Sequence, residues 1–491
     1  MRLLGVLMIV VVTSLVIVAC GGGEDDPTPE TTEDGESTEA TDAIDGRDEP
    51  SGVTLTDGAL VAEVVTAELD QPTAVAFAQD DMLVTEKATG KVRIVRDGEI
   101  VGDAIDLAVN YFDERGLLGI AVHPDFPAEP FVYLHWTWTG EGEGDDQLLG
   151  ADSDEATSVP ALGNRIDRFR WEDDALTFDR SLVEFPSHTL DTDTSGNVRG
   201  NHDAGPLTFG PDGKLYTMMG DQNLRGQLQN ITDGPQADDE HFAGVILRLN
   251  DDGTIPEDNP FFDAGAEVGG EVGENIQMIH TYGIRNSFGL AFEPGSGALW
   301  QTENGDDSWD EINVFDPGAN SGWIQLMGPP ERMADYRQME MDTEDGLDNP
   351  EFPPSMLAED AEGAQAAMFS LPGSVYAPPV LSYVYPPALT AIGFVGDDSL
   401  GEASERTAWV GTVLTDSLLR YPLAADGRSL ELEGGLADGV DDNEAKGDLG
   451  ESEEYVVGKG FGTITDIQHG PDGGLYVLSI SEGSLYRISA A

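Results

Sequence analysis

The side chains in this sequence best suited to chemistry lie far apart: Asp113-Glu114-Arg115, Asn201-His202-Asp203 and Arg285-Asn286, with hydroxyls at Thr390, Thr463 and Thr465. Each group stands at the start of a short apolar stretch. A fold that aligns those stretches would gather carboxylate, imidazole, guanidinium and amide in one place. Local signatures offer no substitute. His123, His135, His188, His241, His280 and His469 lack zinc spacing such as H-E-x-x-H, and Asp251-Asp252-Gly253 reads as a turn better than as part of a calcium loop. No Gly-x-Ser-x-Gly elbow, Walker loop or dinucleotide fingerprint lies in a strand-to-helix context.

The elements that must position these groups repeat six times, each time as an apolar strand, a short polar turn and a second apolar strand. The copies begin at Thr73, Leu117, Pro206, Gly289, Ala391 and Ile464. Two turns, at Gly210 and Gly470, read GPDG, in which proline presets the first corner residue and glycine supplies a positive φ. Third strands follow at Lys91, Asn164, Val245, Glu311, Ser417 and Ser484. Strand repeats of this length with no amphipathic helix predict an all-β, six-bladed β-propeller. VAEVVTA from Val61 is expected to add an outer strand to the last blade and so close the ring. Acidic stretches at Gly140 to Glu155, Glu331 to Gln365 and Ala424 to Glu454 are expected to be loops.

The formal net charge is -70, and lysine occurs only at Lys87, Lys91, Lys214, Lys446 and Lys459. Such a polyanion repels itself in dilute buffer, whereas molar salt shortens the Debye length to ~3 Å. The composition points to a highly saline habitat and excludes nucleic acid as a partner, since phosphate binding needs basic clusters. Residues 1–19 read as a lipoprotein-type signal peptide ending before Cys20, the only cysteine and the expected lipid attachment point. An uncleaved membrane anchor is the other reading of that segment. Residues 20–52 form an acidic tether with almost nothing apolar, and residues 53–491 suffice for the propeller. The expected placement is exported, at the cell surface, facing outward.

Six ordered motifs carry a resemblance: TEKATGKV at Thr85, GLLGIAVHPDF at Gly116, NHDAGPLTFGPDGKLYTMMGDQ at Asn201, LRLNDDGTIPEDNPF at Leu247, YGIRNSFGLAF at Tyr282 and DEINVFDPGANSGW at Asp310. Together they resemble the soluble quinoprotein glucose/sorbosone dehydrogenase family. The resemblance implies a six-bladed propeller that binds pyrroloquinoline quinone and calcium in its central channel and oxidises a sugar at the anomeric carbon, passing electrons to a respiratory acceptor. It places His202 as general base, a role suited to an imidazole of ordinary pKa ~6.5. It places Arg285 on the quinone oxygens, Asn286 as a cofactor-contacting amide and Glu114 in the sugar pocket. The main-chain carbonyls of Gly305 and Asp306 fall at the calcium that touches the cofactor, and Glu311 with the Ser321 carbonyl at a second, structural calcium.

The chain also departs from the family's pattern. A lysine and an Arg-x-Arg pair that grip the tricarboxylate cofactor are replaced by Leu414 and by Thr463-Ile464-Thr465. Lys459 is the nearby cation that the sequence offers as compensation, although the sequence does not show whether it points inward. Asn201 stands where the family has an aspartate before the base, and Asp203 is the substitute partner for the imidazole that the sequence offers, although adjacent strand residues point opposite ways. These departures leave open a non-catalytic, calcium-stabilised propeller that binds carbohydrate or protein at the cell surface. Calcium-dependent lactone hydrolysis is a third reading.

Overall fold

Apolar residues recur along these short segments on both faces, which suits strands buried between neighbouring sheets. In the computed structural model, which describes residues 52–139, 163–185, 187, 202–222, 242–306, 308–341 and 357–491, the strands form six sheets. The expected signal peptide, Cys20, Asn201 and the Gly140 to Glu155 stretch lie outside the described residues.

The six sheets open with Pro72–Ala78, Leu117–Val122, Leu207–Phe209, Asn286–Phe292, Leu389–Val395 and Ile464–His469. These opening strands abut one another in cyclic order, the last against the first, so the chain makes an all-β propeller around a central channel. Antiparallel hairpins build each sheet outward. In the fourth sheet, for example, Leu299–Asn304 pairs with Asp310–Phe315 in a register that sets Glu303 opposite Glu311.

Closure follows the expected route, since Leu60–Thr66 pairs antiparallel with Ser484–Ala490 at the far end of the chain. The core is divided into wedges between sheets. Leu83, Val92, Ile120 and Val132 fill one wedge, and Val75, Val84, Leu478 and Leu485 fill the one that joins the two ends of the chain. Burying each wedge stabilises two sheets at once, by roughly 1.5–3 kcal/mol for every large apolar side chain removed from water.

Helices depart from the all-strand expectation. Phe262–Val268 and Gly270–Met278 are inserted between strands of the third sheet, and Met333–Met341 and Ala361–Ala367 lie in the stretch from Glu331 to Gln365 that reads as loop. Met333, Tyr336 and Glu340 share one helix face by their spacing. That face is buried in a cluster with Trp309, Trp323 and Ile324, where the Tyr336 hydroxyl donates to the Ile324 carbonyl at 3.0 Å. Acidity hides this helix in the sequence, because one of its acids, Glu340, is on the buried face, where it accepts from Ser308.

Candidate functional site

The second, third and fourth repeats deliver their polar residues to one cavity of about 420 Å³ at the channel mouth, lined by Glu114, His202, Arg285, Asn286, Gly305 and Asp306 among others. This size suits a small organic ligand.

His202 sits in a left-handed conformation (φ 63°) just before the third sheet and is buried. Its backbone N–H donates to Glu114 Oε2 at 2.6 Å. Its Nδ1 lies 2.5 Å from Asp221 Oδ1, and Asp221 Oδ2 accepts from the Trp323 indole at 2.8 Å. Asp221, not Asp203, is therefore the imidazole's carboxylate partner. Asp203 instead accepts from Asn164 and Gln222 at 2.7 and 3.0 Å, as expected of a neighbour that points the other way. Burial pushes the Asp203 carboxyl up to about 7, against the lowering effect of those amides.

Gly220 makes this arrangement possible. A Cβ there would stand 2.5 Å from the His202 carbonyl and 2.7 Å from that of Arg285, so only glycine lets the three segments converge. The next residue, Asp221, donates its N–H to the Arg285 carbonyl at 2.7 Å, which ties the base's partner to the neighbouring sheet.

Arg285 is buried, with Nη1 donating to the Asn304 and Gly305 carbonyls at 3.0 Å each and Nη2 to Asp306 Oδ1 at 3.1 Å. Its guanidinium lies 5.5 Å from the Trp323 ring centre. Asn286 reaches Glu114 at 3.4 Å. Glu114 is half-buried, and burial raises its carboxyl above the usual range while His202 and Arg285 oppose the rise. Lys87, to which the sequence motifs assign no role, also lines the cavity; its ammonium donates to the Tyr111 carbonyl at 2.8 Å. Burial pulls it down to about 8, and Asp113 and Glu114 resist.

Glu311 and Ser321 meet around a residue that the sequence motifs do not mark. Ser321 Oγ donates to Glu303 Oε2 at 3.1 Å, and the Asn313 amide bridges Glu303 Oε2 and Glu311 Oε2 at 3.3 and 3.0 Å. Burial raises both carboxyls, and the charge of Glu303 raises Glu311 further. Like charges directly opposite across a ladder destabilise a sheet, and the buried Asn313 Oδ1 has no hydrogen-bond partner. This oxygen-rich, orphaned set fits a hard cation. The set is too small to hold a metal by side chains alone: among the described residues no group of three or more His, Cys, Asp or Glu forms a metal cluster.

The other half of the cavity is built by Leu389, Leu414, Thr463, Thr465, Asp466 and Gln468. Lys459 does not join it, because its ammonium pairs with Glu453 at 2.9 Å on the exposed surface. The basic residue that lines this half is Lys446.

The Glucose / Sorbosone dehydrogenase family model matches residues 69–369. The chain belongs to this family. Quinoprotein glucose dehydrogenase B of Acinetobacter calcoaceticus is 31% identical over 293 residues, covering 54% of this chain and 52% of the relative. Aldose sugar dehydrogenase YliI of Escherichia coli is 30% identical over 266 residues, covering 53% and 61%. The chain thus matches between half and three fifths of the length of these relatives. The apo crystal structure of the soluble aldose sugar dehydrogenase from Escherichia coli superposes with a TM-score of 0.58 at 25% identity, over 88% of this chain and 100% of that one.

Proposed function

We propose that this protein is a six-bladed sugar dehydrogenase, each of its six sheets one blade, that oxidises an aldose at the anomeric carbon with pyrroloquinoline quinone and calcium. The observation that carries this reading is the chain of contacts from Trp323 through Asp221 to His202, set beside Arg285 on one cavity wall. A buried carboxylate on Nδ1 fixes the imidazole's orientation and tautomer, so proton uptake from the sugar's anomeric hydroxyl falls to Nε2. When bound, the quinone supplies a two-electron acceptor for the hydride that leaves the anomeric carbon. Arg285, already fixed in place by its hydrogen bonds, and Asn286 would hold the quinone's oxygens and would supply donors that stabilise negative charge there. Glu114, held beside His202 and Asn286, orients the sugar.

The donor chemistry suits these groups. A cavity of suitable size carries guanidinium, amide and two lysines for a tricarboxylate. The Gly305 carbonyl and Asp306 supply oxygens for a cofactor-linked calcium, and Glu303, Glu311, Asn313 and Ser321 supply those for a structural one. We further propose that the protein is exported, lipid-anchored through Cys20, adapted to high salt and coupled to a respiratory acceptor. The acidic composition and the apolar N-terminal run support that placement.

One observation favours a propeller that binds carbohydrate or protein without a quinone: Arg285 already has three acceptors, and Thr463 and Thr465 bring no charge. Titration with pyrroloquinoline quinone in molar salt and calcium, followed by an aldose panel with an artificial electron acceptor, separates the two. Sugar-dependent reduction of bound quinone is the expected result. Absence of quinone binding at tens of micromolar would overturn the dehydrogenase reading.

A further inference from the structure

Lysine is almost absent from this chain, yet two of its five lysines, Lys87 and Lys446, line the one cavity where the candidate site lies. Lys446 is also the only basic residue between Arg428 and Lys459, inside the strongly acidic run DDNEAKGDLGESEE. A lone cation in such a run would ordinarily be one more solvated side chain. Here the backbone directs it to the channel mouth.

The turn Ala445 to Asp448 closes through the Asp448 N–H to the Ala445 carbonyl at 3.1 Å, with Gly447 at φ 76° in the position that needs a positive angle. Lys446 therefore occupies the leading corner. Buried Asn443 staples the turn to the channel wall, its amide donating to the Tyr385 and Asp448 carbonyls at 2.7 and 2.8 Å while its Oδ1 accepts from the Tyr385 N–H at 2.8 Å. Gly447 donates to the Pro386 carbonyl at 3.3 Å, and a Cβ on it would lie 3.5 Å from that of Leu414. The corner thus sits against Leu414 and Pro386, on the half of the cavity whose other lining includes Thr463, Thr465, Asp466 and Gln468 and offers no second cation.

We propose that Lys446 binds a carboxylate of the anionic ligand in this cavity, and so supplies from an outer turn the positive charge that the wall strands of this half do not. The inference rests on the quinone reading. Its ligand class is a planar polycarboxylate that also carries carbonyl oxygens, for which Arg285 and Asn286 are the donors in the same cavity. The anchored turn holds the lysine in place before binding, which lowers the entropic cost of the contact.

The test is equilibrium binding in molar potassium chloride with calcium, read by quinone absorbance and by tryptophan fluorescence, for the full chain and for Lys446→Ala, Lys446→Arg and Lys459→Ala. Trimesate, a quinone-free planar tricarboxylate, serves as a second probe. The expected result is a loss of about 10-fold in quinone affinity for Lys446→Ala, with Lys446→Arg and Lys459→Ala within about threefold of the parent. Parent-like affinity of Lys446→Ala for quinone would overturn the lysine's role and leave the dehydrogenase reading standing. Lys446-dependent binding of trimesate without quinone binding would overturn that reading and support the lysine's role. A parent that binds neither probe would overturn both.

Discussion

The two halves of the channel mouth differ in how they hold their side chains. On the half built by the second to fourth sheets, Glu114, His202, Asp221, Arg285 and Asp306 are hydrogen-bonded to one another or to backbone, and most are buried. On the half built by the fifth and sixth, Leu414 is 40% exposed, and Thr463 and Thr465 bring only hydroxyls. The first half spends buried polar groups on orientation, which demands a partner for every one of them. The second sets shape and takes its positive charge from a turn. Chemistry and grip are thereby separated, and substitutions should separate them too.

The largest effect belongs to the first half. His202→Ala should lower kcat about 10²- to 10⁴-fold while quinone affinity stays within about threefold, checked by steady-state kinetics alongside absorbance titration. Asp221→Asn should lower kcat by about 10- to 100-fold with little change in KM, and Asp221→Glu should recover part of the loss. Equal losses in kcat for His202→Ala and Leu414→Ala would erase the distinction between the halves.

Stability should follow the same division. Calcium should raise the Tm of the parent by several degrees, and Glu311→Gln should remove that increment, because the amide relieves the repulsion that the cation would otherwise neutralise. For Asp203 the folded-state pKa, about 7, lies above that of an unfolded aspartate. The folded chain therefore holds this proton more tightly, and the group's contribution to stability is present at low pH and is lost as pH rises through about 7. Asp203→Asn should be the more stable form at pH 8 relative to its standing at pH 5, by a Tm difference of about 2–5 °C across that range in thermal melts. The smallest effect tests the second half: Leu414→Lys, at a position open to water, should tighten quinone binding by about three- to tenfold and leave kcat unchanged.

Much of this site is legible in the sequence. His202, Arg285, Asn286 and Glu114 stand beside innermost strands whose apolar pattern marks them, and all four line the cavity. Asp221 and Glu303 escape notice because they sit at the far ends of second strands, Leu215–Met219 and Leu299–Asn304, and reach the site only through hairpin register. For Glu303 a signal exists: counting the register back from the hairpin sets it opposite Glu311. Lys446 gives none, since a turn in an acidic run carries no period. Lys459 is the more natural choice because it lies closer to the sixth repeat, yet it pairs outward with Glu453.

The sequence by itself determined the repeated strands, the closure between Val61 and the C-terminal strand, the acidic surface and the identities of the innermost polar residues, because period, turn chemistry and charge are local properties of a chain. The tertiary structure alone decided which carboxylate faces the imidazole, which acid opposes Glu311 and which lysine enters the channel. Those choices turn on distances between segments that are remote in the chain, and packing the sheets into a closed ring is what sets such distances.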